Sequence, residues 1–378
     1  LASLLAAVLL APSAARAQER PTEIVDGIAW YDVLEWGVEG QGWDDTARDF
    51  DRLPGRAEAA VRAPVWNLSR HAAGMLVRFQ TDASAIHVRY RLTSAGLEMP
   101  HMPATGVSGI DLYARDDQGR DRWLGVARPT AQDVEARLAD GIDSLPDGQP
   151  RLYTAYLPLY NGVESMEIGV PAKRRFAGVA PRTEKPLVFY GTSIMHGACA
   201  SRPGMSITGI LGRRLQRPVI NLGFSGNGRL ETEVGAFLAE LDPAVYVIDC
   251  LPNVRATEVA ARTEPLVRQL REARPNTPIL LVEDRTYTNA RFFQSSRARH
   301  AASRAALREA FDKLQADGVT QLYYLEGDSL LGSDGEAATD GSHPNDLGMV
   351  RYADAYEPIL RKILADSATT KAAAGGTP

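Results

Sequence analysis

Between Pro186 and Leu325, five short apolar runs alternate with stretches of helical periodicity: Pro186 to Tyr190, Val219 to Leu222, Val245 to Asp249, Ile279 to Val282 and Leu322 to Leu325. A nearly unbroken apolar run has no face to offer water, so each reads as a strand buried on both sides. Strands of that kind joined by helices make a parallel sheet with helices on both faces, an α/β domain. The covering helices show in the spacing of Val259, Leu266 and Leu270, of Ala302, Leu307 and Leu314, and of Leu347, Tyr352, Tyr356, Ile359 and Ile363.

The N-terminal half has a different period. From about residue 24 to about 170 it alternates, as where Ile86, Val88, Tyr90 and Leu92 interleave with His87, Arg89 and Arg91. That is the pattern of a half-buried antiparallel strand, and Asn161-Gly162 is a turn signal ahead of Met166, Ile168 and Val170. Short strands in this number read as a β-sandwich. Ala131 to Ala139 is ambiguous with a helix and reads as an insertion. Pro171 to Lys185, basic and proline-bearing, reads as the linker. The expected division is therefore a sandwich over 18–180 and an α/β domain over 181–366, each with its own core. The tail 367–378 offers no large apolar residue and is expected to be disordered.

With 42 basic against 47 acidic residues the chain carries a formal charge of -5, which gives no attraction to nucleic acid or to an anionic membrane surface. Leu1 to Ala17 is leucine- and alanine-rich and closes on Ala15-Arg16-Ala17, a small-x-small cleavage pattern. It reads as a signal peptide too short to span a bilayer, so a secreted or periplasmic protein without stable membrane insertion is expected. Two cysteines, Cys199 and Cys250, leave one disulfide and two buried thiols equally open.

Ligands of open α/β sheets bind beyond the carboxyl ends of the strands. Ser193 follows the first apolar run, Gly226 the second, Asn253 the third, and Asp340 with His343 the fifth. Acyl transfer needs a hydroxyl, a base within hydrogen-bond reach and donors for the oxyanion. His343 can be the base, oriented by Asp340 three residues earlier. The N–H groups of Ser193 and Gly226 and the amide of Asn253 can be the donors. Taken singly, Ser193 is a helix N-cap and Asp340 a turn residue before Gly341; their coincidence points to catalysis. His196 is a second candidate base but has no evident acidic partner. Arg202, Arg285 and Tyr287 are candidate substrate contacts, each also compatible with a solvated loop. His71, His87, His101 and His300 form no metal-binding pattern, and Gly223, Gly226 and Gly228 stand in the order G-x-x-G-x-G rather than that of a dinucleotide loop, so neither metal nor cofactor is expected.

These residues resemble the SGNH hydrolases, the GDSL-like esterase superfamily. Ser193 is similar to its block I, Gly226 to block II, Asn253 to block III, and Asp340 with His343 to the D-x-x-H of block V. Gly-Thr-Ser193-Ile stands where many relatives have Gly-Asp-Ser-Leu, and Leu-Pro-Asn253-Val where many have Gly-x-Asn-Asp. Gly109-Ile-Asp-Leu-Tyr113, followed by Trp123-Leu-Gly125, resembles the GxDLY motif of domains that precede such hydrolases in bacteria. The resemblance implies a flavodoxin-like SGNH domain with a five-stranded parallel sheet, preceded by a jelly-roll-like sandwich. The implied activity is removal of short acyl groups, acetyl above all, from an acylated small molecule or polysaccharide. The rival readings are a carbohydrate-binding or surface protein on a non-catalytic hydrolase scaffold, and a lysophospholipase or thioesterase of the same superfamily.

Overall fold

The structure, a computed structural model, describes residues 19–374. The signal-peptide reading of Leu1 to Ala17 and the end of the expected tail, 375–378, lie outside the described residues.

Ten strands build the N-terminal part: β1 (Glu23–Val25), β2 (Ile28–Asp32), β3 (Leu76–Thr81), β4 (Ile86–Leu92), β5 (Asp111–Arg115), β6 (Asp121–Val126), β7 (Asp133–Ala139), β8 (Arg151–Tyr156), β9 (Val163–Pro171) and β10 (Phe176–Val179). They form two antiparallel sheets, in the orders β1-β2-β9-β4-β7 and β10-β3-β8-β5-β6. Strands β2, β9, β4, β7 facing β3, β8, β5, β6 is the order of a jelly roll. Ile86, Val88, Tyr90 and Leu92 of β4 are buried in the core between the sheets, as their alternation requires.

Two sequence readings are corrected here. The supposed insertion at 131–139 contains β7, which pairs with β4 and buries Val134 and Leu138; helix-compatible residues are held extended by their partner strand. The linker contains β10, whose Phe176 is buried and stacks on Tyr31 at 3.9 Å. Four residues with one large side chain are too few to show a period.

The C-terminal sheet comprises β11 (Leu187–Gly191), β12 (Val219–Gly223), β13 (Val245–Asp249), β14 (Ile279–Val282) and β15 (Leu322–Leu325). All neighbours are parallel and the order is β12-β11-β13-β14-β15, the flavodoxin-like 2-1-3-4-5. The helices are α1 (Ala63–Ser69) and α2 (Ala104–Val107) in the N-terminal half, then α3 (Ser193–His196), α4 (Ile207–Arg214), α5 (Thr232–Glu240), α6 (Ala256–Ala273), α7 (Gln294–Ala316) and α8 (Asp346–Ala374). Val188, Tyr190, Tyr246 and Ile248 pack beneath α5, α6 and α7, whereas Leu187, Phe189, Val245 and Val247 pack beneath α4 and α8. Helix α8 continues to Ala374, so the tail expected to lack structure is helical that far; alanine is the strongest helix former.

The sequence division at 180 is not the division of the packing. Leu53, Ala57, Val61, Val65 and Trp66, from a strap that ends in α1, belong to the same core as Val234, Phe237 and Leu238 of α5. The GxDLY motif makes a second crossing: Asp111, fully buried, accepts from Arg202 Nη1 at 2.9 Å, from the Gly204 N–H at 2.8 Å and from Trp123 Nε1 at 2.9 Å.

Candidate active site

Strand β11 ends at Gly191, where a Cβ would come within 2.5 Å of Met195 and 2.8 Å of the Asp249 carbonyl oxygen. The chain then turns sharply into α3. Thr192, not Ser193, is the N-cap, its hydroxyl accepting from the Ile194 N–H at 3.3 Å. The capping role that a lone serine would fill is thus taken by its neighbour, which frees the Ser193 hydroxyl. Gly197 at φ +108° stops α3 after one turn.

The Ser193 hydroxyl lies 2.8 Å from His343 Nε2, and His343 Nδ1 lies 2.7 Å from Asp340 Oδ2. The other Asp340 oxygen accepts from the backbone N–H of His343 at 2.7 Å and of Ser342 at 2.9 Å. Partial burial pushes the Asp340 carboxyl up, but these hydrogen bonds outweigh it and hold it at about 2. An ionised carboxylate can only accept, so Nδ1 must be the donor and Nε2 is left with its lone pair toward the serine.

The loop carrying Asp340 and His343 is held from below. Arg285, at 2% exposure, donates through Nε to the Ser342 carbonyl at 3.1 Å and through Nη2 to the Ser342 hydroxyl, while its Nη1 pairs with buried Asp284. The Thr288 N–H donates to the Gly341 carbonyl at 2.9 Å. Asp249, at the end of β13, is fully buried with the Tyr356 hydroxyl donating to it at 2.6 Å; burial pushes its carboxyl up to about 7.

Gly191 of β11 is level with Gly223 of β12 and with Asp249 of β13, so the segments that follow these strands flank Ser193. Gly226 lies in the turn after β12 at φ +70°, and a Cβ there would meet nothing within 4 Å. Glycine is needed for the left-handed backbone, and the space over it is open. Asn253 closes the short turn Leu251–Asn253 after β13 and donates from Nδ2 to the Gly228 carbonyl at 3.2 Å. Its Nδ2 also reaches the Phe224 carbonyl at 3.5 Å, a long contact that an acceptor nearer the site can replace.

The remaining sequence candidates are placed otherwise. Arg202, read above as a substrate contact, donates through Nη1 to Asp111 and to the Tyr113 hydroxyl at 2.6 Å, tying the two halves of the chain together. Arg285 supports the His343 loop. Tyr287 is half-buried beside it, its hydroxyl accepting from Arg299 at 2.7 Å. His196 is fully buried, stacked on Tyr160 at 4.1 Å, and burial with the nearby Arg52 charge holds it neutral. It faces away from the role of base. Cys199 and Cys250 are both free and buried. Among the described residues no cluster of three His, Cys, Asp or Glu side chains could hold a metal ion. Sequence reading missed two contributions from the N-terminal half: the His101 ring, 6.3 Å from that of His343, and Tyr160, whose hydroxyl is 3.4 Å from the Ser193 carbonyl. Neither lies in a motif, and only the tertiary fold brings them here.

Residues 184–361 match the GDSL-like Lipase/Acylhydrolase family, and residues 28–176 match the N-terminus of Esterase_SGNH_hydro-type, the GxDLY domain. A crystal structure from Bacteroides ovatus assigned to the GDSL-like lipases is 31% identical, aligns over 89% of this chain and 98% of its own, and superposes with a TM-score of 0.84. This chain belongs to the GDSL-like SGNH hydrolases. As a member it is a carboxylic ester hydrolase, built of an α/β hydrolase part behind a GxDLY sandwich. Two more distant structures share the fold. A salicylyl-acyltransferase from a tetracycline biosynthetic pathway is 17% identical over 92% of this chain and 97% of its own, with a TM-score of 0.68. An acetyl xylan esterase from the rumen bacterium Butyrivibrio proteoclasticus is 10% identical over 89% of this chain and 99% of its own, with a TM-score of 0.53. No curated protein matches the chain.

Proposed function

We propose that this SGNH hydrolase is an exported serine esterase that removes short acyl groups, acetyl in the first place, from carbohydrate. The observation that carries the reading is the unbroken hydrogen-bonded chain from the Ser193 hydroxyl through His343 to Asp340. In this reading the Ser193 oxygen attacks the ester carbonyl while its proton passes to His343 Nε2. The N–H groups of Ser193 and Gly226 and the Asn253 amide receive the charge on the carbonyl oxygen. Collapse expels the sugar alkoxide, which takes the proton from His343 and leaves an acyl-serine. Water then attacks with His343 again as base, and the carboxylic acid departs as Ser193 recovers its proton.

Carbohydrate is favoured by the company of the fold, which includes a family two carbohydrate esterase from Clostridium thermocellum in complex with cellohexaose and the acetyl xylan esterase above. A scaffold that has lost catalysis has no reason to keep three side chains in one proton-transfer line.

The test is labelling with a fluorophosphonate and turnover of p-nitrophenyl acetate, followed by acetylated xylan, mannan, pectin and simple sugar acetates. Ser193→Ala should abolish labelling and acetate release. Full-strength labelling of that variant would overturn the assignment. Faster turnover of octanoyl than of acetyl esters would move the substrate to lipid or thioester, since each buried methylene adds about 0.8 kcal/mol of binding in an apolar channel.

A further inference from the structure

The turn that carries Gly226 has little of its own to hold it. Phe224 to Leu230 is irregular, with left-handed backbone at Gly226 and again at Leu230, φ +58°. Its internal bonds are local: Asn227 and Gly228 N–H to the Phe224 carbonyl, Asn227 Nδ2 to the Ser225 carbonyl and Arg229 Nε to the Gly226 carbonyl. Such bonds shape a turn without fixing where it stands relative to Ser193.

The ends of the turn are tied to the sheet, the Phe224 N–H donating to the Gly191 carbonyl at 3.0 Å and Asn253 Nδ2 to the Gly228 carbonyl at 3.2 Å, and two arginines of the N-terminal strap add a grip on its middle and its base. Arg62, the N-cap residue of α1, donates from Nη1 to Asn227 Oδ1 at 2.8 Å, from Nη2 to the Asn227 carbonyl at 3.1 Å, and to both carboxylate oxygens of Glu231. One planar guanidinium therefore spans the turn, gripping the residue after Gly226 and Glu231, the residue that caps α5. Arg52, at 2% exposure, holds the base of the same turn: its Nη1 donates to the carbonyls of Asn221 at 3.0 Å and Gly223 at 2.7 Å, and its plane lies 5.1 Å from the Phe224 ring. Its other donors return to the strap, to the carbonyls of Leu68 at 2.5 Å and His71 at 2.9 Å. Burying a guanidinium with no carboxylate among its hydrogen-bond partners is costly, and here that charge is placed at the base of the Gly226 turn.

We propose that Arg62, seconded by Arg52, is a positioning residue for the Gly226 turn, so that the strap between β2 and β3 is part of the catalytic unit. The inference rests on the reading of Ser193 as nucleophile and of the Gly226 N–H as an oxyanion donor, and it adds the device that sets the donor's distance. A misplacement of the order of 1 Å at such a donor costs about 10²-fold in rate. Arg62 touches no reacting atom, so its loss should act on the transition state and leave substrate binding alone.

The experiment uses the full chain, with kcat, KM and Tm measured for wild type, Ser193→Ala, Arg62→Ala and Arg62→Lys on p-nitrophenyl acetate. Arg62 is more than one-third exposed, so its removal leaves a slot open to solvent. The expected result for Arg62→Ala is kcat lower by roughly tenfold or more with KM within about twofold, and partial recovery on adding methylguanidinium. Arg62→Lys should recover little, because an ammonium cannot span both partners. If kcat of Arg62→Ala stays within about twofold of wild type, the proposal is overturned whatever happens to Tm. Should Arg62→Ala fail to fold, Asn227→Ala decides, since it deletes one acceptor and keeps the pair with Glu231; unchanged kcat there also overturns the proposal. Wild-type turnover that survives Ser193→Ala would instead sink the nucleophile reading, and this inference with it.

Discussion

Arg285 donates to the carbonyl oxygen of Ser342 at 3.1 Å and also to its hydroxyl, gripping the single residue that separates Gly341 from His343. A fully charged side chain at 2% exposure is thereby spent on the shape of one loop. Arg285→Lys keeps the charge but loses the fork, and Arg285→Ala leaves the buried Asp284 only the more distant Arg299, at 3.2 Å, as an ion partner. We expect Arg285→Lys to lower kcat by roughly tenfold with little change in KM, and Arg285→Ala to cost stability as well, about 3 kcal/mol or more. Steady-state kinetics with thermal melts check both.

Asp340 accepts from two backbone N–H groups and from the ring of His343. Asparagine at this position would offer an amide hydrogen to Nδ1 in one orientation and favour the wrong tautomer. Asp340→Asn should lower kcat on the order of 10³-fold or more while the protein stays folded. Because the carboxyl is held at about 2, this loss should appear at every pH at which the enzyme works. A kcat within tenfold of wild type would remove Asp340 from the machinery.

The Asp111 to Arg202 pair joins the GxDLY strand β5 to the segment after α3, and Asp111 is wholly buried. Asp111→Ala leaves the Arg202 charge and the Gly204 N–H without their acceptor. Unfolding free energy should fall by about 3–5 kcal/mol, read as a lower Tm, with kcat of the folded protein changed by less than about twofold. A large loss of kcat at unchanged Tm would mean that the motif serves catalysis rather than cohesion.

Asp249 titrates in the opposite sense to Asp340. Its carboxyl is raised to about 7 by burial, so the folded protein holds the proton more tightly than the unfolded chain does. That contribution to stability is complete below the unfolded value of about 3.9 and is lost as pH rises through about 7. Asp249→Asn cannot ionise and can still accept from Tyr356. Its Tm relative to wild type should therefore be higher at about pH 8 than at about pH 5, and an equal difference at the two values would count against the raised carboxyl.

Legibility in the sequence followed the range of the interactions. The five parallel strands were readable because each is an apolar run set by its own residues, and Asp340 with His343 because three residues separate them. Strand β10 was not, since Phe176 alone carries its apolar signal. The roles of Arg202 and Arg285 were hidden for a different reason: their acceptors lie 91 and 57 residues away, and an arginine on a loop carries no mark of its distant partner. The strap was hidden as well. Leu53, Ala57, Val61 and Val65 recur every four residues, yet nothing local says that they pack on a helix far downstream.

That placement has a consequence for biosynthesis. Translation delivers Leu53 to Trp66 long before the surface they cover, since roughly 150 residues separate Trp66 from Val219 at the start of β12. The sandwich can close early, but the strap has to wait with its greasy side unprotected until the ribosome has supplied α5. A nascent chain halted between the two would present that side to chaperones or to other nascent chains, and the enzyme becomes whole only when an early segment docks on a much later one.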